Sequence, residues 1–330
     1  MQSSPVLPVL DMQLLFAGGD ARQEFLRTLA DAARTVGFFY IKGHGLDTEQ
    51  QRVLRLSKQF FALPQAQKET VAMLNSPHFR GYTKLGSELT AGKHDMREQF
   101  DIMREEPAVM VANNEPKWWH LWGPNQWPVT LPELRMGLLS YQEQLAQLST
   151  VLLSAFAEVM QQPADVFGET LQEPYTHMKL IRYPGVMGNS RQGVGAHKDP
   201  GYLTIVSPDQ HSGLQVYKDQ QWLDVPPIAG AFVVNIGELL ELASDGYLRA
   251  TEHRVVSPQA GTDRYSVAFF MAAALASEVP LLNLPPQLKA QALGPTSDAN
   301  NPLFYQVGEN VLKGRVRSHP DVACAHKIAC

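Results

Sequence analysis

The sequence predicts a mainly β protein with helices: a double-stranded β-helix, or jelly roll, flanked by N-terminal helices that include one long spine helix. Three observations predict it. Apolar residues recur at three- and four-residue spacing in the first half, most regularly from Leu134 to Val159. Near residue 175 the pattern changes to short alternating runs bounded by Gly and Pro. Hydrophobic content of 44% in 330 residues supplies a full core, and no apolar run approaches membrane-spanning length.

Each element has a local reason. Asp20, with Gln23 three residues on, is placed to cap a helix. Phe25, Leu29, Ala32 and Val36 then share one face, and Gly37 stops the helix. Phe38-Phe39-Tyr40-Ile41 reads as a buried strand, and a second helix is expected from about Thr48 to Phe61. The stretch Asn113 to Pro128, with Trp118, Trp119, Trp122 and Trp127, is irregular and reads as a hydrophobic cover for a helix–sheet seam. Leu134, Leu138, Tyr141, Leu145, Leu148, Leu152, Phe156 and Val159 form the spine helix.

The second half alternates. Gly213 to Tyr217 and Trp222 to Val225 read as two strands joined by the polar turn Lys218 to Gln221. Ala231 to Gly237 reads as a buried strand after Pro226-Pro227. The expected organisation is 1–130 mixed α/β, 131–174 spine helix and connector, 175–290 jelly-roll core and 291–330 tail, in one integrated unit.

Net charge is −5 and basic residues are not clustered, which argues against a nucleic-acid surface. Met1 to Asp20 has no basic start, and Asp11 interrupts its apolar stretch, so no signal peptide is expected. Cys324 and Cys330 are too few for a disulfide framework. A soluble, cytoplasmic monomer is expected, with a small-molecule substrate and no nucleic-acid or membrane partner.

The chemistry-bearing pattern is His197-Lys198-Asp199, then His253, then Arg264-Tyr265-Ser266. Two imidazoles and one carboxylate suit a ferrous ion held on one face, with the other face open to ligands. A guanidinium fork suits a carboxylate beside that ion. With 10 His and 15 Asp in the chain, about half an occurrence of His-x-Asp is expected by chance, so order and context carry the signal. His319-Pro320-Asp321 lies in a polar stretch near the C-terminus and is set aside. Arg55-Leu56-Ser57 sits at helical spacing with Val53 and Phe60 and reads as one helix turn. His197 and Asp199 instead lead into the strand-like Tyr202 to Val206, and Arg264 and Ser266 flank Tyr265 on an extended run, where residues two apart share a face.

The chain resembles the Fe(II)/2-oxoglutarate-dependent oxygenases of the isopenicillin N synthase-like branch. The resemblance spans almost the whole sequence. It rests on Gly37 to Gly45, Phe60 to Pro64, Gly81-Tyr82, Arg97 to Phe100, Gly123 to Pro128, Leu180 to Pro184, His197 to Asp199, Gly213 to Val216, Asn235 to Glu238, His253 to Val255 and Arg264 to Ser266. It implies that His197, Asp199 and His253 are the iron ligands. It also implies that Arg264, Ser266 and Tyr183 hold the distal carboxylate of 2-oxoglutarate, with dioxygen as the other cosubstrate.

Plant-type members carry Asn two residues before the tyrosine, where this chain has Ile181. In that respect Leu180 to Pro184 resembles isopenicillin N synthase itself. Three readings follow. The first is a 2-oxoglutarate-dependent hydroxylase, desaturase or cyclase of a small molecule. The second is an oxidase that uses dioxygen without 2-oxoglutarate. The third is a non-catalytic metal-binding sensor.

For the substrate pocket the candidates are Phe269, Phe270 and Phe304. Of the adjacent pair Phe269 and Phe270, only one can face the interior. The low charge of Ala231 to Gly237 and Val267 to Ala274 leaves few groups to recognise a highly charged ligand, so a small, at least partly apolar substrate is expected. Asp95, Arg97 and Glu98 read as a solvated or internally paired loop, His44 as a structural turn residue and His211 as solvated.

Overall fold

Helical and alternating periods build separate layers in the computed structural model, which describes residues 7–112, 114–185, 187, 192–296, 298 and 301–329. The chain starts with strand β1 (Val9–Asp11), helices α1 (Met12–Ala17) and α2 (Gly19–Thr35), strand β2 (Phe38–Lys42) and helices α3 (Asp47–Phe61) and α4 (Gln65–Glu69). Strands β3 (Gly81–Thr83), β4 (Leu89–Thr90), β5 (Lys93–His94) and β6 (Glu98–Met103) follow, then the long helix α5 (Glu133–Val159). The second half runs β7 (Tyr175–Tyr183), β8 (Gln192–His197), β9 (Leu203–Pro208), β10 (Leu214–Lys218), β11 (Gln221–Asp224) and β12 (Phe232–Ile236). It continues with α6 (Glu238–Ala243), β13 (His253–Val256), β14 (Arg264–Ala272), α7 (Pro286–Lys289), α8 (Val307–Ser318) and α9 (Pro320–Ala325).

Eight strands pair in the order β1-β2-β12-β9-β14-β7-β6-β3, and four in the order β11-β10-β13-β8. Side chains from both sheets meet in one apolar cluster, with Ile181, Val233 and Ala268 from the large sheet against Val194, Val216 and Val255 from the small one. This is the jelly roll. The opposite face of the large sheet packs on the helices, in a larger cluster that holds Val267, Phe269 and Met271 of β14. Odd positions of β14 therefore face the helices, and even positions face the jelly-roll interior.

Helix α5 is the expected spine. Leu134, Leu138, Tyr141, Leu145, Leu152 and Phe156 are all buried in the helix–sheet core. Burial of each large apolar side chain contributes roughly 1.5–3 kcal/mol. Tyr141 keeps its hydroxyl satisfied through Ser207 Oγ of β9 at 2.7 Å. The turn joining β10 and β11 places Asp219 and Gln220 at φ of 49° and 63°, the left-handed pair that a two-residue hairpin requires.

Helix starts differ from expectation. The N-cap of α2 is Gly18, with no side-chain cap, and Asp20 lies inside the first turn. There its charge still favours the positive end of the helix dipole. The side-chain cap belongs to the preceding helix, where Asp11 accepts from Gln13 N. Gly37 ends α2 as read, at φ 72°, and a Cβ there would meet Arg249 O at 2.0 Å. The tryptophans join the helix–sheet core as expected, and Trp118 also packs on Gly308 of α8, so the cover reaches the C-terminal helix. Asn113 and Cys330 lie outside the described residues.

Candidate active site

Strand pairing brings His197 and His253 together. They are register partners on β8 and β13, with ring centroids 4.3 Å apart. His197 Nδ1 lies 2.8 Å from Gly195 O, and His253 Nδ1 lies 3.1 Å from Thr251 O. A carbonyl only accepts, so each Nδ1 donates and each Nε2 is the ring atom turned towards the centre of the group. Both Nε2 atoms point at Asp199 Oδ1, at 3.4 and 3.5 Å. One donor atom from each of the three residues lies within 4.8 Å of the others, the only such group among the described residues.

The second oxygen of Asp199 is already engaged. Thr204 Oγ1 donates to Oδ2 at 2.6 Å, and Asn235 Nδ2 donates to it at 2.9 Å. The carboxylate is thus turned with one oxygen bound to the scaffold and one aimed between the histidines. Burial pushes its pKa up, but the charge of His253 and hydrogen bonds from both rings hold it well below the usual carboxylate range. For His253 burial pushes down, and Asp199 outweighs it and raises the imidazole. The cluster favours a cation at its centre, and its donor set fits Fe(II).

The jelly-roll interior holds a second unmet demand. Arg264 and Ser266 are each 2% exposed, and both face inward from β14. Tyr183, opposite Arg264 in the ladder, lies under the guanidinium at 4.9 Å. Arg264 Nε donates to His211 O at 3.2 Å, while its buried Nη1 has no hydrogen-bond partner among the described residues. A sealed, half-satisfied guanidinium is costly unless an anion completes it, and a carboxylate of 2-oxoglutarate fits that gap. Ile181, opposite Ser266, adds no polar group. His211, read as solvated, instead pairs with Asp209 at 2.9 Å and supplies the carbonyl that orients Arg264.

A cavity of about 650 Å³ opens beside the His–Asp–His group. Phe270 lines it. Phe269 does not, because alternation turns it into the helix-facing core. Phe304 also lies outside the wall: its neighbour Leu303 lines the cavity, while Phe304 sits against Lys313 Nζ at 5.3 Å. His44 is a turn residue held by Gly230 O and Leu46 N.

The cavity wall is more charged than the strands predicted. Glu88, Arg97, His177, Lys179, Arg315 and Arg317 all line it. These charges come from the segment before β6, from the start of β7 and from α8, none of which the strand composition addresses. Buried Glu88 bridges Arg97 at 2.7 Å and Lys179 at 2.8 Å. Asp95 pairs with Arg97 at 3.3 Å, and Asp101 with Arg315 at 3.2 Å. Of the two readings of this loop, the internally paired one holds, and the paired charges form a buried wall of the cavity. Glu98 belongs to β6 and points the other way, to Lys68, Arg182 and the Tyr82 hydroxyl. His319, set aside as part of a polar tail stretch, is buried 3.5 Å from Glu88.

Comparisons agree with this geometry. Residues 7–130 match the N-terminal family described as non-haem dioxygenase in morphine synthesis, and residues 175–273 match the 2OG-Fe(II) oxygenase superfamily. A 2-oxoglutarate-dependent dioxygenase, frbJ, of Dothideomycetidae sp. (strain 11243) is 34% identical over 337 residues, covering 96% of this chain and 90% of that protein. Homoarginine-6-hydroxylase 2-ODD-C23.2 of Arabidopsis thaliana is 33% identical, over 84% and 80%. A 2OG-Fe(II) oxygenase family protein from Caulobacter crescentus superposes with a TM-score of 0.75 at 26% identity, covering 95% of this chain and 99% of that one. A full-length Neurospora crassa protein, solved in complex with alpha-KG and thymine, has the same fold, with a TM-score of 0.76 at 24% identity over 96% and 98%.

The chain belongs to the 2OG-Fe(II) oxygenase superfamily. It is an oxidoreductase of the 2-oxoglutarate-dependent dioxygenase class, with Fe(II), 2-oxoglutarate and dioxygen as its cofactor and cosubstrates. That reading is supported over an oxidase without 2-oxoglutarate and over a non-catalytic sensor.

Proposed function

We propose that His197, Asp199 and His253 hold Fe(II), that Arg264, Ser266 and Tyr183 bind the distal carboxylate of 2-oxoglutarate, and that a small polar molecule is oxidised in the adjoining cavity. The observation that carries this reading is the unpartnered, buried Nη1 of Arg264 beside an intact His–Asp–His group. When bound, iron and 2-oxoglutarate together supply the oxidising equivalent from dioxygen, with succinate and carbon dioxide released. The protein's own residues do the positioning. Gly195 and Thr251 fix the histidine tautomers, Thr204 and Asn235 aim Asp199, and His211 O aims Arg264.

A relative named for homoarginine hydroxylation supports a small polar substrate, and a cavity of about 650 Å³ accommodates one. Motif order, from Gly37 to Ser266, supports the isopenicillin N synthase-like branch. A net charge of −5 without basic clusters supports the absence of a nucleic-acid partner. No helix among the described residues is long and apolar enough to cross a membrane. A cytoplasmic monomer is the setting we favour.

The test is an anaerobic Fe(II) titration with and without 2-oxoglutarate, followed by a succinate-release screen of small polar metabolites. A visible charge-transfer band that needs both components, and that disappears in His253→Ala, is expected. Absence of that band in the native protein would sink the proposal.

A further inference from the structure

The cavity wall contains one imidazole whose two nitrogens have unlike surroundings. His177, on β7, lines the cavity and is stacked on Phe270, with centroids 5.2 Å apart and planes 26° apart. Its Nε2 lies 2.7 Å from Asp101 Oδ1. Asp101 is fully buried. The same oxygen faces Arg315 Nη1 at 3.2 Å and Lys179 Nζ at 3.7 Å, and the other oxygen accepts from Gln99 at 2.8 Å. Burial pushes this carboxyl up, but Lys179, Arg315 and His177 hold it well below the usual range, so it is an ionised acceptor. The Nε2 beside it must carry the proton.

Nδ1 is then a bare lone pair. It has no hydrogen-bond partner among the described residues, and it is not among the side-chain atoms sealed from solvent. The open space beside His177 is the cavity. A proton on Nδ1 is disfavoured, because burial depresses the imidazole to about 4 and the neighbouring cations add to that effect. The wall thus offers an acceptor nitrogen, fixed in its tautomer and braced by an aromatic ring, amid charges that already balance one another.

We infer that the Asp101–His177 pair is a substrate-reading subsite, in which His177 Nδ1 accepts a hydrogen bond from an N–H of a small polar substrate lying against Phe270. The inference rests on the proposed active site for the meaning of the cavity. Phe270 occupies an even position of β14, the same inward face that carries Arg264 and Ser266. The subsite therefore shares a face with the cosubstrate anchor. A substrate lacking a donor leaves Nδ1 unsatisfied, which penalises the analogue more than the hydrogen bond rewards the true ligand.

The test uses full-length protein loaded with Zn(II) and 2-oxoglutarate, so that no turnover occurs, with histidine rings labelled with ¹⁵N. The His177 signals are assigned by their loss in His177→Phe, and Asp101→Asn serves as a second variant, with its fold checked by circular dichroism. The expected result is a single tautomer, with the proton on Nε2 and none on Nδ1. Thymine and L-homoarginine, both small N–H donors, are the probes, and 1,3-dimethylthymine, which has no N–H, is the control. At least one donor should shift the Nδ1 resonance towards that of a hydrogen-bonded nitrogen, and the control should leave it in place. A proton on Nδ1 in the ligand-free form overturns the inference. So does a resonance that neither donor moves, or that the control moves equally. Loss of the Fe(II)–2-oxoglutarate band would instead fell the proposed function, leaving the His177 tautomer a separate observation.

Discussion

Thr204 Oγ1 sits 2.6 Å from Asp199 Oδ2, the carboxylate oxygen turned away from both histidines. That contact, with Asn235 at 2.9 Å, leaves Oδ1 as the one oxygen free for a metal. Thr204→Val keeps the shape and removes the donor. It should weaken Fe(II) binding about ten- to a hundredfold, the usual effect of losing an outer partner of a ligand. Thr204→Ser should restore most of the affinity. Anaerobic Fe(II) titration of both variants checks this, and native affinity in Thr204→Val would show that the hydroxyl does not orient Asp199.

Arg264→Lys should raise the apparent KM for 2-oxoglutarate by about ten- to a hundredfold, because an ammonium cannot form the two-pronged pair and a charge-assisted contact is worth about 1.5–3 kcal/mol. Iron affinity without 2-oxoglutarate should stay the same. Steady-state kinetics with 2-oxoglutarate varied reads the first number. If the loss fell on the prime substrate instead, Arg264 would be anchoring the wrong molecule.

Glu98 joins Lys68 at 2.8 Å, Arg182 at 2.6 Å and the Tyr82 hydroxyl at 2.6 Å. It stitches α4, β3, β6 and β7 together on the side of the sheet away from the cavity. Glu98→Ala leaves buried Lys68 without its carboxylate and should cost about 3–5 kcal/mol of stability. Urea denaturation followed by circular dichroism measures it. A loss under about 1 kcal/mol would mean that Lys68 finds water or another partner.

The same logic gives a pH dependence. Burial depresses His177 to about 4, below its ordinary value of 6.5. Between those values the unfolded chain binds a proton that the folded chain refuses. Stability therefore rises with pH across this window and is lost as pH falls from about 6.5 towards 4. Denaturation midpoints of the native protein and His177→Phe, compared at intervals across the window, should show a shallower slope in the variant. Parallel slopes would assign the acid sensitivity to other groups.

Much of the fold was legible because it follows from local periods. The α5 spine announces itself every three or four residues, and alternation alone required that one of Phe269 and Phe270 turn away from the interior. The candidate metal group and the candidate anchor were legible for a related reason. His197 and Asp199 are two apart, as are Arg264 and Ser266, so short-range geometry already groups them.

The cavity wall was not legible. Arg315 meets Asp101 across more than two hundred residues, and His177 lies outside the Leu180 to Pro184 motif that marks the far end of its strand. Charges at such positions look solvated in sequence, because only the tertiary fold reveals that each has a buried counter-charge. The α2 cap failed for a smaller reason: two turn-forming glycines precede Asp20 and shift the helix start.

The β7–β14 ladder pairs Tyr183 with Arg264 at one end and His177 with Phe270 at the other. One antiparallel strand pair thus acts as a ruler, carrying the proposed cosubstrate anchor and part of the cavity wall six residues apart. Backbone pairing sets that interval, whatever side chains it bears. Replacing His177 and Phe270 would remake that part of the cavity wall while leaving the proposed anchor at the far end in place. A one-residue slip of the same ladder would turn both sets out of the barrel at once, so the region open to chemical novelty is also the one where strand register is held most strictly.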